Sequence, residues 1–258
     1  MMALLLKSYQ SLLRGSAVPR RSMAAARETA GSSKKSLDLF YDVVSPYSWF
    51  GFEVVCRYRQ IWNIDLHFRP VFLAGIMKAT GNQPPATLPK KAEYLNMDIL
   101  RVAKYYQVPV QLVSDFFGTV IQKGSLPAMR FITAVDASQP QYVEPISREL
   151  WMRIWSRDED IVKPESILAA AEKAGLPLED ARKILEMSNS PEIKNRLKET
   201  TDQALKYGAF GLPSFVFHVN GKPQLIFGSD RLELLGSLLE SPQEHCGEAG
   251  LLYRHGEN

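Results

Sequence analysis

Cysteine is scarce in this chain. Its 258 residues include two cysteines, Cys56 and Cys246, which are far apart and form no C-x-x-C pair. That excludes a disulfide-framed secreted fold, leaves no dithiol for redox exchange and suits a reducing compartment. Long apolar runs are missing as well. None reaches the ~18 residues that a membrane-spanning helix needs. The four histidines, His67, His218, His245 and His255, show no metal-ligand spacing, so no metal site is expected. A net charge of +3 gives no global signal for nucleic acid. The length suits one large domain, or one domain carrying an insertion.

Acidic residues are absent from the first 27 positions, where Lys7, Arg14, Arg20, Arg21 and Arg27 alternate with serines. Leu5, Leu6, Tyr9, Leu12 and Leu13 share one helical face opposite these charges. This is the pattern of a mitochondrial targeting peptide, and a disordered basic tail is the competing reading. Removing its five basic residues turns the net charge from +3 to −2, so the basicity belongs to the leader. The small, polar stretch Gly31–Ser36 reads as a linker, which makes residues 1–35 leader and linker.

The folded part opens with a buried strand candidate, Leu37–Val43. A helix start follows at Ser45-Pro46, and an alternating strand at Ile64–Pro70. Strand, helix, strand in that order predicts parallel strands with a right-handed crossover. The next hundred or so residues have helical patterning, with clear segments at Glu149–Trp155, Pro164–Gly175, Glu179–Met187 and Pro191–Tyr207. The period then returns to two at Ser214–Val219. Asn220-Gly221 marks a hairpin, and a last helix is expected from Ser229 or Asp230. The fold class is α/β: a thioredoxin-like domain (36–75 and 191–242) interrupted by an all-helical subdomain (76–190), with a loose tail at 243–258.

The turn from the first strand into the first helix carries the chemistry. In thioredoxin-like redox proteins this turn holds C-x-x-C; here it reads Ser45-Pro46-Tyr47-Ser48. A helix N-terminus offers free N–H groups and about half a positive charge, which stabilises a thiolate. With hydroxyls in place of sulfur, that anion site can serve a thiolate brought by a ligand. A serine hydroxyl donating to it contributes roughly 1.5–3 kcal/mol, or about one to two pKa units. Ser45 would then be a hydrogen-bond donor, not a nucleophile. Read alone, Ser45 and Pro46 are also simply a helix cap and its first residue. Two further elements bear on the choice. Gly211-Leu212-Pro213, just before the third strand, is where thioredoxin-like folds place a cis-proline; it would leave the Leu212 backbone free to pair with an extended peptide. The alternative is a trans Pro213 opening a strand. Gly228-Ser229-Asp230-Arg231 can hold a carboxylate and an ammonium, or can simply cap the last helix.

Six stretches together resemble the kappa-class glutathione transferases: Phe40–Gly51 (FYDVVSPYSWFG), Gly75–Pro85 (GIMKATGNQPP), Gly124–Arg130 (GSLPAMR), Arg148–Trp155 (RELWMRIW), Tyr207–Pro213 (YGAFGLP) and Phe227–Leu235 (FGSDRLELL). The resemblance implies Ser45 as the catalytic serine and a glutathione site lined by Pro46, Tyr47, Asn82, Pro89, Lys91, Leu212, Pro213, Ser229 and Asp230. Lys91 would meet the glycyl carboxylate, with Lys90 as a substitute, and Leu212 would clamp the peptide. Ser229 and Asp230 would take the γ-glutamyl end. The resemblance also implies a homodimer with glutathione as co-substrate, no permanently bound cofactor and a mitochondrial or peroxisomal location. The leader favours the mitochondrial matrix. The terminal Gly256-Glu257-Asn258 departs from a peroxisomal S-K-L signal.

Three functions compete. The first is transfer of glutathione to small electrophiles, with hydroperoxide reduction by the same thiolate. The second is a glutathione-dependent isomerase, because bacterial 2-hydroxychromene-2-carboxylate isomerases resemble the same scaffold. The third is a binding module without turnover. Elsewhere the bland readings are expected: Trp49, Trp151 and Trp155 as core, Asp158-Glu159-Asp160 as a solvated turn, and Cys56 as a small buried residue.

Overall fold

The computed structural model describes residues 34–219 and 221–240. The basic leader up to residue 33, Asn220, His245, Cys246, His255 and the tail beyond 240 lie outside the described residues.

A sheet in the order β2-β1-β3-β4 organises the molecule, with β1 at Lys35–Tyr41, β2 at Ile64–Pro70, β3 at Ser214–Val219 and β4 at Lys222–Phe227. β1 runs parallel to β2 and antiparallel to β3. β3 and β4 form an antiparallel hairpin closed by the Val219–Lys222 pair. Helix α1 (Pro46–Tyr58) makes the crossover from β1 to β2. The connection from β2 to β3 is filled by α2 (Leu73–Thr80), α3 (Pro89–Tyr106), α4 (Leu126–Ser138), α5 (Val143–Ser156), α6 (Pro164–Lys173), α7 (Leu178–Met187) and α8 (Pro191–Lys206). α9 (Leu232–Glu240) follows β4. This is the α/β, thioredoxin-like fold with a helical insertion that the sequence predicts.

Side-chain alternation on β1 divides the core. Leu37, Leu39 and Tyr41 point into the larger cluster, with α1 and most of the inserted helices. Phe40 points the other way, with Val71, Ile76, Ala204, Leu212 and Val216. A strand buried on both faces reads as a nearly continuous apolar run, as Leu37–Tyr41 does. In the larger cluster Trp151 of α5 is fully buried beside Tyr41 (ring centroids 5.4 Å), Phe52 (4.8 Å) and Trp49 (6.3 Å, interplanar angle 3°). Arg148 of α5 bonds Glu53 of α1 at 2.8 Å, and Tyr41 meets the Ser147 hydroxyl at 2.7 Å. The inserted block is therefore fastened to α1 and β1 by stacked rings, an ion pair and a buried hydroxyl pair.

The structure corrects several local expectations. β1 ends at Tyr41 and not at Val43, because Asp42 turns the chain. The Asp42 carbonyl accepts from Ser45 N–H at 3.0 Å, and its carboxylate accepts from Val44 N–H at 3.0 Å. The segment Glu149–Trp155 is part of a longer helix, Val143–Ser156. After β4 a three-residue 3-10 turn, Ser229–Arg231, precedes the last α-helix, which begins at Leu232. Asp158-Glu159-Asp160 is more than a solvated turn. The Asp160 carboxylate accepts from Val162 N–H (2.9 Å) and Lys163 N–H (2.8 Å), Asp158 accepts from Ser114 N–H (3.1 Å), and Glu159 pairs with Arg153 and Arg157. Cys56 is half-buried, and burial pushes its thiol up to about 12, which disfavours the thiolate. A π-helical turn at Phe117–Lys123 carries no sequence signal that we recognise.

Gly51 shows how tightly the sheet packs on α1. A Cβ there would lie 2.9 Å from the Phe215 ring and 3.1 Å from Pro213 Cγ. Alanine is worth about 1 kcal/mol more than glycine inside a helix, whereas overpacking a core costs about 1–3 kcal/mol. Gly51→Ala is therefore expected to lower the thermal midpoint despite the better helix former. An unchanged or higher midpoint in a melting experiment would show that the β3 loop yields freely.

Candidate active site

Ser45 sits where the sequence predicts, in extended conformation (φ −90°, ψ 117°) just ahead of α1, with Pro46 as the first helical residue. Its oxygen accepts from Ser48 N–H at 3.1 Å, so it caps the helix. A hydroxyl has two acceptor sites and one hydrogen. Capping occupies one of the acceptor sites and leaves the hydrogen available for donation. The cap and the thiol donor are therefore compatible roles for one oxygen. Ser45 is 6% exposed, so a bond it makes is only weakly screened by solvent. Its carbonyl is fixed by Trp49 N–H at 3.3 Å and by the Trp151 indole at 3.1 Å. Ser48, the other hydroxyl of the turn, is fully buried, and its oxygen has no hydrogen-bond partner among the described residues.

A feature missed at the sequence level lies three residues upstream. Asp42 is fully buried. Besides Val44 N–H it accepts from Leu73 N–H at 2.9 Å and from the Ser125 hydroxyl at 2.9 Å. Leu73 opens α2 and Ser125 precedes α4, so two helix starts converge on one carboxylate beside a third. Helix N-termini favour negative charge, which explains how a carboxylate can be placed here.

Tyr47 points toward α3. Its hydroxyl donates to Asp98 at 2.5 Å, and its ring meets Phe50 edge-on at 5.9 Å. Burial, followed by the bond to Asp98, raises its pKa above the ordinary tyrosine value. The single Tyr47 proton is committed to Asp98.

The loop before β3 faces the same helix start, because Pro213 lies against Gly51 of α1. The Leu212–Pro213 peptide is cis. Leu212 is buried, and neither its N–H nor its C=O is hydrogen-bonded among the described residues. Asn82 adjoins this loop: its amide donates to the Phe210 carbonyl at 2.7 Å. Gly228 N–H donates to the Pro213 carbonyl at 2.9 Å, which sets the Ser229–Arg231 turn beside the loop. Gly228 has φ +92°, a conformation suited to glycine, and an added Cβ would lie 2.4 Å from Asp230 Oδ1. Ser229 is buried, and its hydroxyl makes no hydrogen bond among the described residues. Asp230 is exposed and paired with Arg231 at 3.1 Å, a competitor that the motif did not reveal. Pro89 is the first residue of α3. Lys90 pairs with Glu93 at 2.9 Å, whereas Lys91 has no ion-pair partner among the described residues.

Contacts and bonds thus link the loop carrying Leu212 and Pro213 to Gly51 of α1, to Asn82 and to the turn carrying Ser229 and Asp230. Tyr47 joins α3 to α1 through Asp98, and Pro89 and Lys91 lie at the far end of α3. No group of three or more metal-ligating side chains is found among the described residues.

Known proteins resemble this chain. Residues 36–240 match the family of the DSBA-like thioredoxin domain. The chain is 54% identical over 209 residues to glutathione S-transferase kappa 1 of Homo sapiens, covering 81% of this chain and 92% of the relative. It is 24% identical over 213 residues to 2-hydroxychromene-2-carboxylate isomerase of Sphingobium xenophagum, covering 80% of this chain and 98% of the relative. Among solved structures, a 2-hydroxychromene-2-carboxylate isomerase superposes with a TM-score of 0.63 at 22% identity, over 79% of this chain and 94% of that one, which speaks for the shared fold.

Burial pushes the Asp42 carboxyl up to about 6 from its ordinary 3.8, outweighing the bonds from Val44, Leu73 and Ser125 that pull it down. The folded chain then holds this proton more tightly than the unfolded one. Through this group, stability is greatest below pH ~4 and falls as pH rises toward 6. Asp42→Asn removes that step. Urea melts at pH 4 and pH 7 are expected to show the wild-type-minus-variant stability dropping by about 2 kcal/mol between them. A difference that stays flat with pH would mean that Asp42 titrates as an ordinary carboxyl.

Proposed function

The chain belongs to the kappa-class glutathione S-transferases, built on a DSBA-like thioredoxin domain; from this premise we propose that Ser45 activates the thiol of bound glutathione for transfer to a small electrophile. The observation that carries the proposal is the state of the Ser45 hydroxyl. Its oxygen is engaged by Ser48 N–H while its hydrogen remains to be given, at the open end of a helix. In this reading the Leu212 main chain pairs with the cysteinyl unit of glutathione. Lys91 and Pro89 close on the glycyl carboxylate, Asn82 supports the loop, and Ser229 with Asp230 receives the γ-glutamyl group. Pro46, Tyr47 and Pro213 shape the walls.

The chemistry needs little more. Glutathione binds and its thiol loses a proton to water. The Ser45 hydrogen bond and the α1 N-terminus hold the sulfur as an anion. The thiolate then attacks an electrophilic carbon, forming the C–S bond as the leaving group departs with its electron pair. With a hydroperoxide, the thiolate would attack oxygen and release the alcohol. The resulting sulfenic acid would condense with a second glutathione to disulfide and water. No protein sulfur takes part.

The isomerase reading rests on the more distant likeness to 2-hydroxychromene-2-carboxylate isomerases, and a binding module would give no product with any electrophile. We also propose a homodimer, with residues 1–27 addressing the chain to the mitochondrial matrix. Sedimentation and import of a leader fusion test these two points.

The decisive measurement is the ultraviolet titration of the bound glutathione thiolate. Ser45→Ala is expected to raise the bound thiol's pKa by about one to two units while binding is largely kept. The lost cap will also cost about 1 kcal/mol of stability. Ser190 caps α8 by accepting from Ile193 N–H at 3.3 Å, so Ser190→Ala supplies a control with a similar stability loss and an unmoved thiol pKa. If Ser45→Ala titrates like the wild type, Ser45 is a helix cap and nothing more.

A further inference from the structure

Tyr106 lies at the end of α3, outside every motif noted in the sequence. Its hydroxyl donates to the Ser229 carbonyl at 2.8 Å, across 123 positions of sequence. Its ring leans on Phe50 of α1 (6.3 Å) and on its neighbour Tyr105 (4.9 Å). Burial leads the causes that push its hydroxyl up to about 12, so it stays protonated and remains a donor.

The geometry gives this bond a particular meaning. α3 has 18 residues and spans about 27 Å, longer than an extended tripeptide at about 10 Å. Its first turn carries Pro89 and Lys91, its middle carries Asp98 bonded to Tyr47, and its last residue is Tyr106. The Ser229–Arg231 turn is held from two sides. Gly228 N–H ties it to Pro213 on the sheet side, and Tyr106 ties it to α3 on the helix side. The sheet-side bond fixes the start of the turn. The helix-side bond fixes the carbonyl that follows the Ser229 side chain and precedes Asp230.

We propose that Tyr106 is a positioning residue for the γ-glutamyl end of glutathione: it holds the Ser229 carbonyl, and through it the Ser229 and Asp230 groups, at a set distance from α3. It touches neither the sulfur nor the peptide. The proposal rests on the glutathione site described above and deepens it. It separates two parts of that site, the thiol-activating end at Ser45 and the γ-glutamyl end at Ser229, which a tyrosine in the inserted block adjusts independently. The expected signature is selective. Losing the bond should weaken ligands that carry the γ-glutamyl group and spare those that lack it.

The test is calorimetric binding of S-methylglutathione and of its truncated analogue S-methylcysteinylglycine to wild type, Tyr106→Phe and Asp230→Asn. Tyr106→Phe removes one oxygen and keeps the ring on Phe50. It is expected to weaken S-methylglutathione about five-fold, the worth of one neutral hydrogen bond, and to leave the truncated ligand unchanged. The turnover number at saturating glutathione should stay within about two-fold of wild type. Equal weakening of both ligands would make Tyr106 a general structural residue, and no weakening of either would make the bond irrelevant; each overturns the proposal. The truncated ligand also reports on folding, because a misfolded variant loses both. If the wild type does not discriminate between the two ligands, or Asp230→Asn leaves S-methylglutathione unaffected, the γ-glutamyl assignment itself fails and takes the proposal with it. Discrimination lost in Asp230→Asn but kept in Tyr106→Phe overturns the role of Tyr106 alone.

Discussion

Three segments distant in sequence meet at the Asp42 carboxylate, and the position of Ser45 follows from their meeting. An ionised carboxyl out of water is costly unless donors surround it. Asp42 finds them in Val44 N–H, Leu73 N–H and the Ser125 hydroxyl. Val44 belongs to the turn into α1, Leu73 opens α2 after β2, and Ser125 stands before α4. Neither α2 nor α4 receives a side-chain cap from its own N-terminal residue. Asp42 supplies charge at both starts instead. The inserted block is therefore a partner in building the turn that carries Ser45, and not an appendage to a finished domain. Trp151 adds the second fastening: its indole reaches the Ser45 carbonyl from α5, across 106 positions of sequence.

The electrostatic setting has a built-in tension. Helix starts that gather around Asp42 also favour an anion at the neighbouring α1 N-terminus. Asp42 itself, when ionised, opposes a second negative charge nearby. Burial moderates this by raising its pKa to about 6, but at neutral pH the charge is still mostly present. On the proposed reading a ligand thiolate needs its own local stabilisation, and a hydrogen bond from Ser45 would provide a short-range term that a helix dipole alone does not. This gives a physical reason for a donor side chain at position 45, where an apolar residue would also start a helix after Pro46.

What the sequence made legible was local. Ser45-Pro46 marks a helix start by cap and ring geometry, and both residues carry that information themselves. The two-residue period of Ser214–Val219 and the turn at Gly221 foretold the hairpin. Trp49, Trp151 and Trp155 read as core residues, and all three are buried. What stayed hidden depends on partners far along the chain. Asp42 looks like any acid after a strand until Leu73 and Ser125 are placed beside it. The Ser229-Asp230 pair reads as a helix start, yet the helix begins three residues later and Arg231 already holds Asp230. Lys90 and Lys91 were separable only once Glu93 was seen to occupy the former.

Ser48 shows what was lost with the sulfurs and what was not. Its hydroxyl is buried with no hydrogen-bond partner among the described residues, which carries a cost of about 1–3 kcal/mol. A second thiol at that place would be nearly apolar and would fit burial better. A hydroxyl there cannot be oxidised, cannot pair with position 45 and, facing inward, cannot reach a ligand. The turn has therefore kept the backbone of a redox site and given up the covalent step between its two side chains. The sulfur must come from outside, and the protein's work shifts from exchanging electrons to holding a peptide still. That shift accounts for the weight of structure away from Ser45: an unpaired Leu212 backbone and a turn tied from two sides at Ser229.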